Sequence, residues 1–190
     1  MRITDEILGL FDKRGAGAYF GESVSMAEHG LQAAYFARNA GAPPSLVIAA
    51  LLHDVGHLVV DVPDDLKDWV ADAHHEEIGS KWLARRFPPS VSEPVRLHVP
   101  AQRYLLAVDP AYFAKLSPAS VVTLKLQGGP MSPDEVAGFE QEPYHRDAVK
   151  VRQWDDQGKV AGLTTPTLAE YREWIDELSA KQAPPAPKFP

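Results

Sequence analysis

Seven consecutive nonpolar residues, Leu46 to Leu52, run directly into His53-Asp54-Val55-Gly56-His57. A helix so uniformly nonpolar has no face to give to solvent and must be central in the fold. The residues at its C-terminal end are therefore delivered to the interior. Two histidines four residues apart share a helix face, and an aspartate beside the first can project toward the same centre where the helix ends. That is metal-ligand geometry. Gly56 removes a side chain, so another backbone or a substrate can come close. A lone His-Asp pair in an arbitrary chain is more often a surface or capping pair, but the buried approach argues against that here.

The chemistry open to such a centre is narrowed by composition. With no cysteine in 190 residues, disulfides, thiolate sites, iron-sulfur clusters and cysteine nucleophiles are excluded, and any metal must be held by nitrogen and oxygen. Imidazole and carboxylate serve zinc, manganese, nickel and iron alike. A formal net charge of -7 and the lack of a lysine and arginine cluster argue against a nucleic-acid partner. A small anionic substrate can still be held by a local pocket. The N-terminal stretch lacks the apolar region of a signal peptide, and no apolar run approaches about 18 residues. The expectation is a soluble cytoplasmic protein with no membrane partner.

Apolar residues recur at helical spacing almost throughout, so the fold class is all-α. A first helix is expected over about Thr4 to Arg14. Ser25-Met26-Ala27-Glu28 has the form of a capping box, which starts a helix running to Gly41 and puts His29 in its first turn. Pro43-Pro44-Ser45 opens the central helix, which carries His53, Asp54 and His57. After a polar loop around Asp61 to Asp68, helices are expected over His74 to Arg86 and Val91 to Ala107, with Pro100 ending or kinking the latter just past His98. Later helices fall near Pro118 to Leu126, Pro133 to Glu140, Glu142 to Asp155 and Leu168 to Lys181. One domain over 1–182 is expected, followed by a tail, Ala183 to Pro190, whose four prolines in eight residues cannot continue a helix and suit disorder.

The ALLHDVGH segment resembles the HD superfamily, a helical fold with a His, His-Asp, Asp metal set. The resemblance adds His29 upstream and Asp155 far downstream. His75 and His98 are two further imidazoles, which a one-metal HD site does not need and a two-metal site does. Six ligands suit two ions, with Asp54 bridging through its two oxygens. Spacing alone does not choose between His74 and His75; the resemblance selects His75 through the Glu-Glu-Ile-Gly that follows. Tyr19-Phe20-Gly21-Glu22, Ser25 to His29, Gln32, Tyr35-Phe36, Arg103-Tyr104-Leu105, Gln127-Gly128-Gly129-Pro130-Met131 and Arg152 to Gly158 together look like the mixed-valent diiron HD oxygenases that cleave carbon-phosphorus bonds. This likeness spans roughly residues 5 to 175.

The resemblance implies two iron ions, Fe(II)/Fe(III), with oxygen as co-substrate. The substrate it implies is a small 1-hydroxyphosphonate bearing an amino or trimethylammonio group, split to phosphate and glycine or glycine betaine. An upstream phosphonate hydroxylase would supply it. His29, His53, Asp54 and Asp155 would hold one iron, and Asp54, His75 and His98 the other, where substrate chelates. Tyr19 would occupy an open position before substrate arrives, and Glu22 would then face the substrate cation. Arg152, on the same helix face as Asp155, is the expected phosphonate partner, helped by His57, Ser120, Thr123 and Gln127. The family pattern has a lysine where this chain has Gln102, a neutral amide that still donates hydrogen bonds. Phe20, Tyr19, Trp69 and Tyr104 tip the reading slightly toward a quaternary ammonium. A metal-dependent HD phosphohydrolase is the alternative enzyme, and a non-catalytic ligand-binding HD domain a third reading. Dispersed lysines and arginines count against the hydrolase, and intact ligands against the binding domain.

Overall fold

The computed structural model describes residues 2–19, 21–60, 74–118, 120, 121, 124 and 127–181. Among them the regular elements are helices, with one isolated bridge between Ala18 and Ser25. Phe20, Trp69, Thr123, the loop Asp61 to Asp68 and the tail Ala183 to Pro190 lie outside the described residues. The named α-helices are α1 (Ile3–Arg14), α2 (Met26–Asn39), α3 (Pro44–Leu51), α4 (Val55–Val59), α5 (His75–Ala84), α6 (Pro89–Val108), α7 (Pro133–Gln141), α8 (His145–Gln157) and α9 (Arg172–Ala180). Pro118, Ser120, Val121 and Leu124 are helical as well.

Local chemistry accounts for the starts. Ser25 accepts from the Glu28 amide while Glu28 Oε2 accepts from the Ser25 amide at 2.7 Å, the reciprocal cap expected from the sequence. Pro44 occupies the first turn of α3, where its missing N–H costs nothing. Every residue of α3 from Leu46 to Leu51 is buried, and the helix packs against α2, α6, α8 and α9. It is the centre of a core that also takes Ile7, Phe11, Phe87, Val95, Val151, Trp154 and Ile175. Burying that much apolar surface stabilises the bundle at about 25 cal/mol per Å².

Three features differ from the sequence expectation. The central helix does not carry His53 and His57 on one face: α3 ends at Leu51, residues 52–54 form a turn, and α4 starts afresh at Val55. Pro100 does not end its helix, because α6 runs through both Pro94 and Pro100. An interior proline costs about 3 kcal/mol, which packing between α5 and α8 offsets. The last helix begins with a 3-10 turn, Leu168–Tyr171, before α9.

The spacing of α4 from α5 is set by backbone. A Cβ on Gly56 would lie 2.0 Å from the His75 carbonyl oxygen, and one on Gly79 would lie 3.0 Å from the Gly56 nitrogen. The two helices cross with glycine on each side of the contact, which brings the start of α5, and His75 with it, against the His53-Asp54 turn.

Candidate metal centre

Four elements converge on the turn after α3. His29 comes from the first turn of α2, His53 and Asp54 from the turn itself, His75 from the first residue of α5, His98 from the middle of α6, and Asp155 from the last turn of α8. His29, His53, His98 and Asp155 are each at most 2% exposed; Asp54 and His75 are also buried. His29, His53 and Asp54 form one group able to hold a metal ion, and Asp54, His75 and His98 form a second. Asp54 belongs to both through different oxygens. Its Oδ2 lies 3.6 Å from His29 Nε2 and 3.4 Å from His53 Nε2, while its Oδ1 lies 3.3 Å from His75 Nε2 and 3.6 Å from His98 Nε2. Asp155 joins the first group, with Oδ1 at 3.3 Å from His29 Nε2.

The outer nitrogens fix which way the imidazoles present themselves. His29 Nδ1 is 2.9 Å from the Gly158 carbonyl, His53 Nδ1 2.8 Å from that of Ala50, and His98 Nδ1 2.7 Å from that of Val95. A carbonyl can only accept, so each Nδ1 carries the proton and each Nε2 turns a lone pair inward when the ring is neutral. With both rings neutral, His29 Nε2 and His53 Nε2 face one another at 3.0 Å as two acceptors, and a proton taken up by His53 would lie between them. Asp54 Oδ2 and Asp155 Oδ1 add buried carboxylate oxygens that have no hydrogen-bond partner among the described residues. Inward lone pairs and unpartnered anionic oxygens in a buried space are costly alone and are what a cation pairs with. The donor set fits a pair of divalent or trivalent ions taking nitrogen and oxygen ligands.

The electrostatics point the same way. Burial raises the Asp54 carboxyl, but His53, His75 and His98 around it win and hold it well below the usual carboxylate range. Burial likewise opposes Asp155, and the charges of Arg152 and Lys159 hold it low. His53 is opposed by burial but brought up to about 9 by Asp54 and Asp155, so it holds a proton at neutral pH until a metal displaces it. His57 is pushed down to about 3 by burial and then by His75. Tyr19 is raised by burial and by the Asp54 and Asp155 carboxylates beside it.

The remaining expected residues fall as follows. His57 stacks on His75, ring centroids 4.2 Å apart, and is not in either ligand group. Tyr19 stacks on His29 at 3.8 Å. Glu22 sits in the turn that Tyr19 opens, its amide donating to the Tyr19 carbonyl, and its Oε1 is buried without a partner among the described residues. Gln102 is 1% exposed, one turn past His98, with its Nε2 likewise unpartnered. His74 is exposed, its side chain 81% accessible, in a left-handed conformation at φ 60°. Arg152 is buried and heavily engaged: Nη1 lies 2.9 Å from Asp155 Oδ2, Nη2 pairs with Asp156, and Nε donates to the Tyr112 hydroxyl at 3.2 Å.

Lys159 is the cation that sequence reasoning missed. Its ammonium donates to Ser120 Oγ at 2.9 Å, lies 3.8 Å from Asp155 Oδ1 and sits 6.0 Å from the centre of the Tyr19 ring. Its spacing of four from Asp155 was the available signal, masked by Gly158 and the end of the helix between them. Gln32 was seen without a role. It is 1% exposed and grips the Val160 peptide from both sides, Nε2 donating to the carbonyl at 2.8 Å and Oε1 accepting from the amide at 2.9 Å.

The chain is similar to known proteins along most of its length. The HD domain family matches residues 26–115. The chain is 42% identical to a [1-hydroxy-2-(trimethylamino)ethyl]phosphonate dioxygenase (glycine-betaine-forming) of Leisingera caerulea, over 94% of this chain and 91% of that one. It is 46% identical to a hydroxymethylphosphonate dioxygenase of Gimesia maris, over 84% of this chain and 80% of that one. An uncharacterized protein of Acanthamoeba polyphaga mimivirus is 34% identical over 92% of this chain. No helix among the described residues is long and apolar enough to cross a membrane. The chain belongs to the HD-domain proteins and, within them, to the family of the hydroxyphosphonate dioxygenases.

Proposed function

We propose that the protein is a diiron oxygenase that uses molecular oxygen to cleave the carbon-phosphorus bond of a 1-hydroxyalkylphosphonate of the (R)-1-hydroxy-2-(trimethylammonio)ethylphosphonate or (R)-2-amino-1-hydroxyethylphosphonate type. The products are phosphate and glycine betaine or glycine. The observation that carries the reading is Asp54, whose two oxygens face two separate groups of imidazoles. His29, His53, Asp54 and Asp155 would hold one iron, and Asp54, His75 and His98 the other. A mixed-valent iron pair supplies the activation of oxygen and the one-electron chemistry at carbon 1.

The chain's own groups then have separable tasks. Glu22 Oε1, a buried carboxylate oxygen awaiting a partner, suits the substrate's cationic nitrogen. The buried Gln102 amide can donate to a phosphonate oxygen beside the His75 group without adding charge. Ser120, to which Lys159 donates, is assigned to the same anion-binding set, and the sequence reading adds Thr123, which lies outside the described residues. His57, uncharged at neutral pH, can serve as a neutral donor or acceptor next to His75. Arg152 is shared among Asp155, Asp156 and Tyr112, so in this reading it also holds the Asp155 carboxylate in place. Tyr19 covers the His29 side and must shift if it yields an open position to substrate. The substrate requires a hydroxyl at carbon 1, so an upstream phosphonate hydroxylation must supply it.

The purified protein should contain about two irons per chain and give a mixed-valent electron paramagnetic resonance signal. Offered the amino and trimethylammonio hydroxyphosphonates and hydroxymethylphosphonate, it should release phosphate in step with oxygen consumption. Phosphate release from an ordinary phosphate ester, without oxygen uptake and with zinc in place of iron, would instead establish the hydrolase.

A further inference from the structure

We propose that Gln32 is a positioning residue for the His29 half of the metal centre, acting by locking the turn Gly158 to Val160 against α2. The inference rests on the two-metal reading above and not on the identity of the substrate. His29 and Gln32 are three residues apart in α2 and so leave the helix on one side. They receive nearly consecutive backbone groups of the segment that follows α8: His29 Nδ1 takes the Gly158 carbonyl, and Gln32 takes both the amide and the carbonyl of Val160. A primary amide is suited to this task because it sets a donor beside an acceptor, matching the two polar groups of one residue's backbone.

The turn has little room to move while the clamp is closed. A Cβ on Gly158 would lie 3.1 Å from the His29 carbonyl oxygen and 3.2 Å from His29 Nδ1, so α2 and the turn touch backbone to ring. Between the two clamped residues stands Lys159, whose ammonium lies 3.8 Å from the inward oxygen of Asp155 and donates to Ser120. Release of Val160 therefore loosens two supports at once: the carbonyl that orients His29 and the cation that steadies Asp155. The second group, Asp54, His75 and His98, has no contact with this turn among those described.

The test is anaerobic titration of stripped protein with ferrous iron against a competing chelator, for the wild type, Gln32→Leu, Gln32→Glu and the distant control Thr4→Val. Thr4 is fully buried and donates to Asp176, so its loss costs stability away from the centre. In both Gln32 variants one of the two iron equivalents should bind about 10–100-fold more weakly, the usual effect of losing an outer partner of a metal ligand. The other equivalent should stay as in the wild type. Thr4→Val should lower the melting temperature without splitting the two affinities. Two irons bound by folded Gln32→Glu as tightly as by the wild type would overturn the proposal, as would equal weakening of both sites in proportion to a lowered melting temperature. If Gln32→Leu does not fold, Gln32→Glu and Gly158→Ala, which attacks the same turn from its other end, decide the matter by the same readout. A wild type that takes up fewer than two equivalents would overturn the metal reading itself, a separate and recognisable failure.

Discussion

On the His29 side, two imidazoles and a carboxylate come from α2, the α3–α4 turn and α8, and both outer ring nitrogens are bonded to backbone carbonyls. On the His75 side, His98 is held in the same way, but His75 Nδ1 has no hydrogen-bond partner among the described residues; the Glu76 carboxylate stands off at 3.6 Å and His57 stacks on the ring. The first half has every ring oriented by main chain and further charge behind it in Arg152 and Lys159. In the proposed centre the second half has fewer protein ligands and one ring held mainly by packing. A site meant to retain its ion needs the former; a site meant to exchange ligands during turnover tolerates the latter.

Asp54→Ala tests the one residue the halves share. It should remove both ions or leave them loosely held, and lower activity by more than the roughly 10–100-fold that an outer-partner loss costs; metal analysis after gel filtration checks it. Retention of one tightly bound ion would mean that the halves do not depend on a common bridge.

Gly56→Ala should act on the His75 half alone. The added methyl meets the His75 carbonyl, and relief requires α5 to move away from α4. A destabilisation of about 3 kcal/mol is expected from overpacking against backbone, read by denaturant unfolding, with weaker retention of one ion and the other unaffected.

The pH dependence bears on both halves, because against the effect of burial His75 is raised from its ordinary value by Asp54 and Glu76, as His53 is by Asp54 and Asp155. In stripped protein His53 is raised to about 9 from an ordinary value near 6.5. A raised histidine contributes stability that is fully present below its unfolded value and is lost as pH rises through its folded one. Stripped protein should therefore lose melting temperature between pH 6.5 and about 9. Iron affinity in the His53 half should rise over the same window, by about tenfold per unit for one displaced proton. Loading at pH 7 in weak buffer should release that proton to an indicator dye. No proton release would overturn the assignment of His53 as a protonated ligand in waiting.

Glu76→Gln is expected to have the smallest effect. Glu76 is the acidic group nearest the unpartnered nitrogen of His75, too far for a hydrogen bond in this state. Its loss should weaken iron in the second half by a few-fold, on the order of 1 kcal/mol or less, measured by the same chelator competition.

Much of this was legible in the sequence because it is local. The capping box at Ser25, the proline start of α3 and its apolar body need only spacing and residue type, whereas the set of six expected ligands rests on the family resemblance, since spacing alone does not choose between His74 and His75. What was not legible depends on distant pairing or on how a helix ends. The two histidines of HDVGH read as one helical face, yet the turn at residues 52–54 sends His53 to one group and His57 onto His75. Pro100 reads as a stop or a kink, and packing on both sides of α6 carries the helix through it. Arg152 reads as the phosphonate partner on the face of Asp155, and only the fold reveals that Asp156 and Tyr112 share it. Gln32 and Val160 are 128 positions apart, and no local pattern links them.

The three carbonyls that orient the histidines also differ in when they become available. Those of Ala50 and Val95 lie three residues before the rings they hold, so each pairing is complete once a single helical turn has formed. The Gly158 carbonyl is 129 residues beyond His29. During synthesis from the N-terminus, His53 and His98 can be set in their final attitude while much of α8 is still unmade. His29 has to wait for the far end of that helix. The last piece of the centre to arrive is therefore Asp155 together with the carbonyl that turns His29 inward, and the first half closes as a consequence of finishing the bundle.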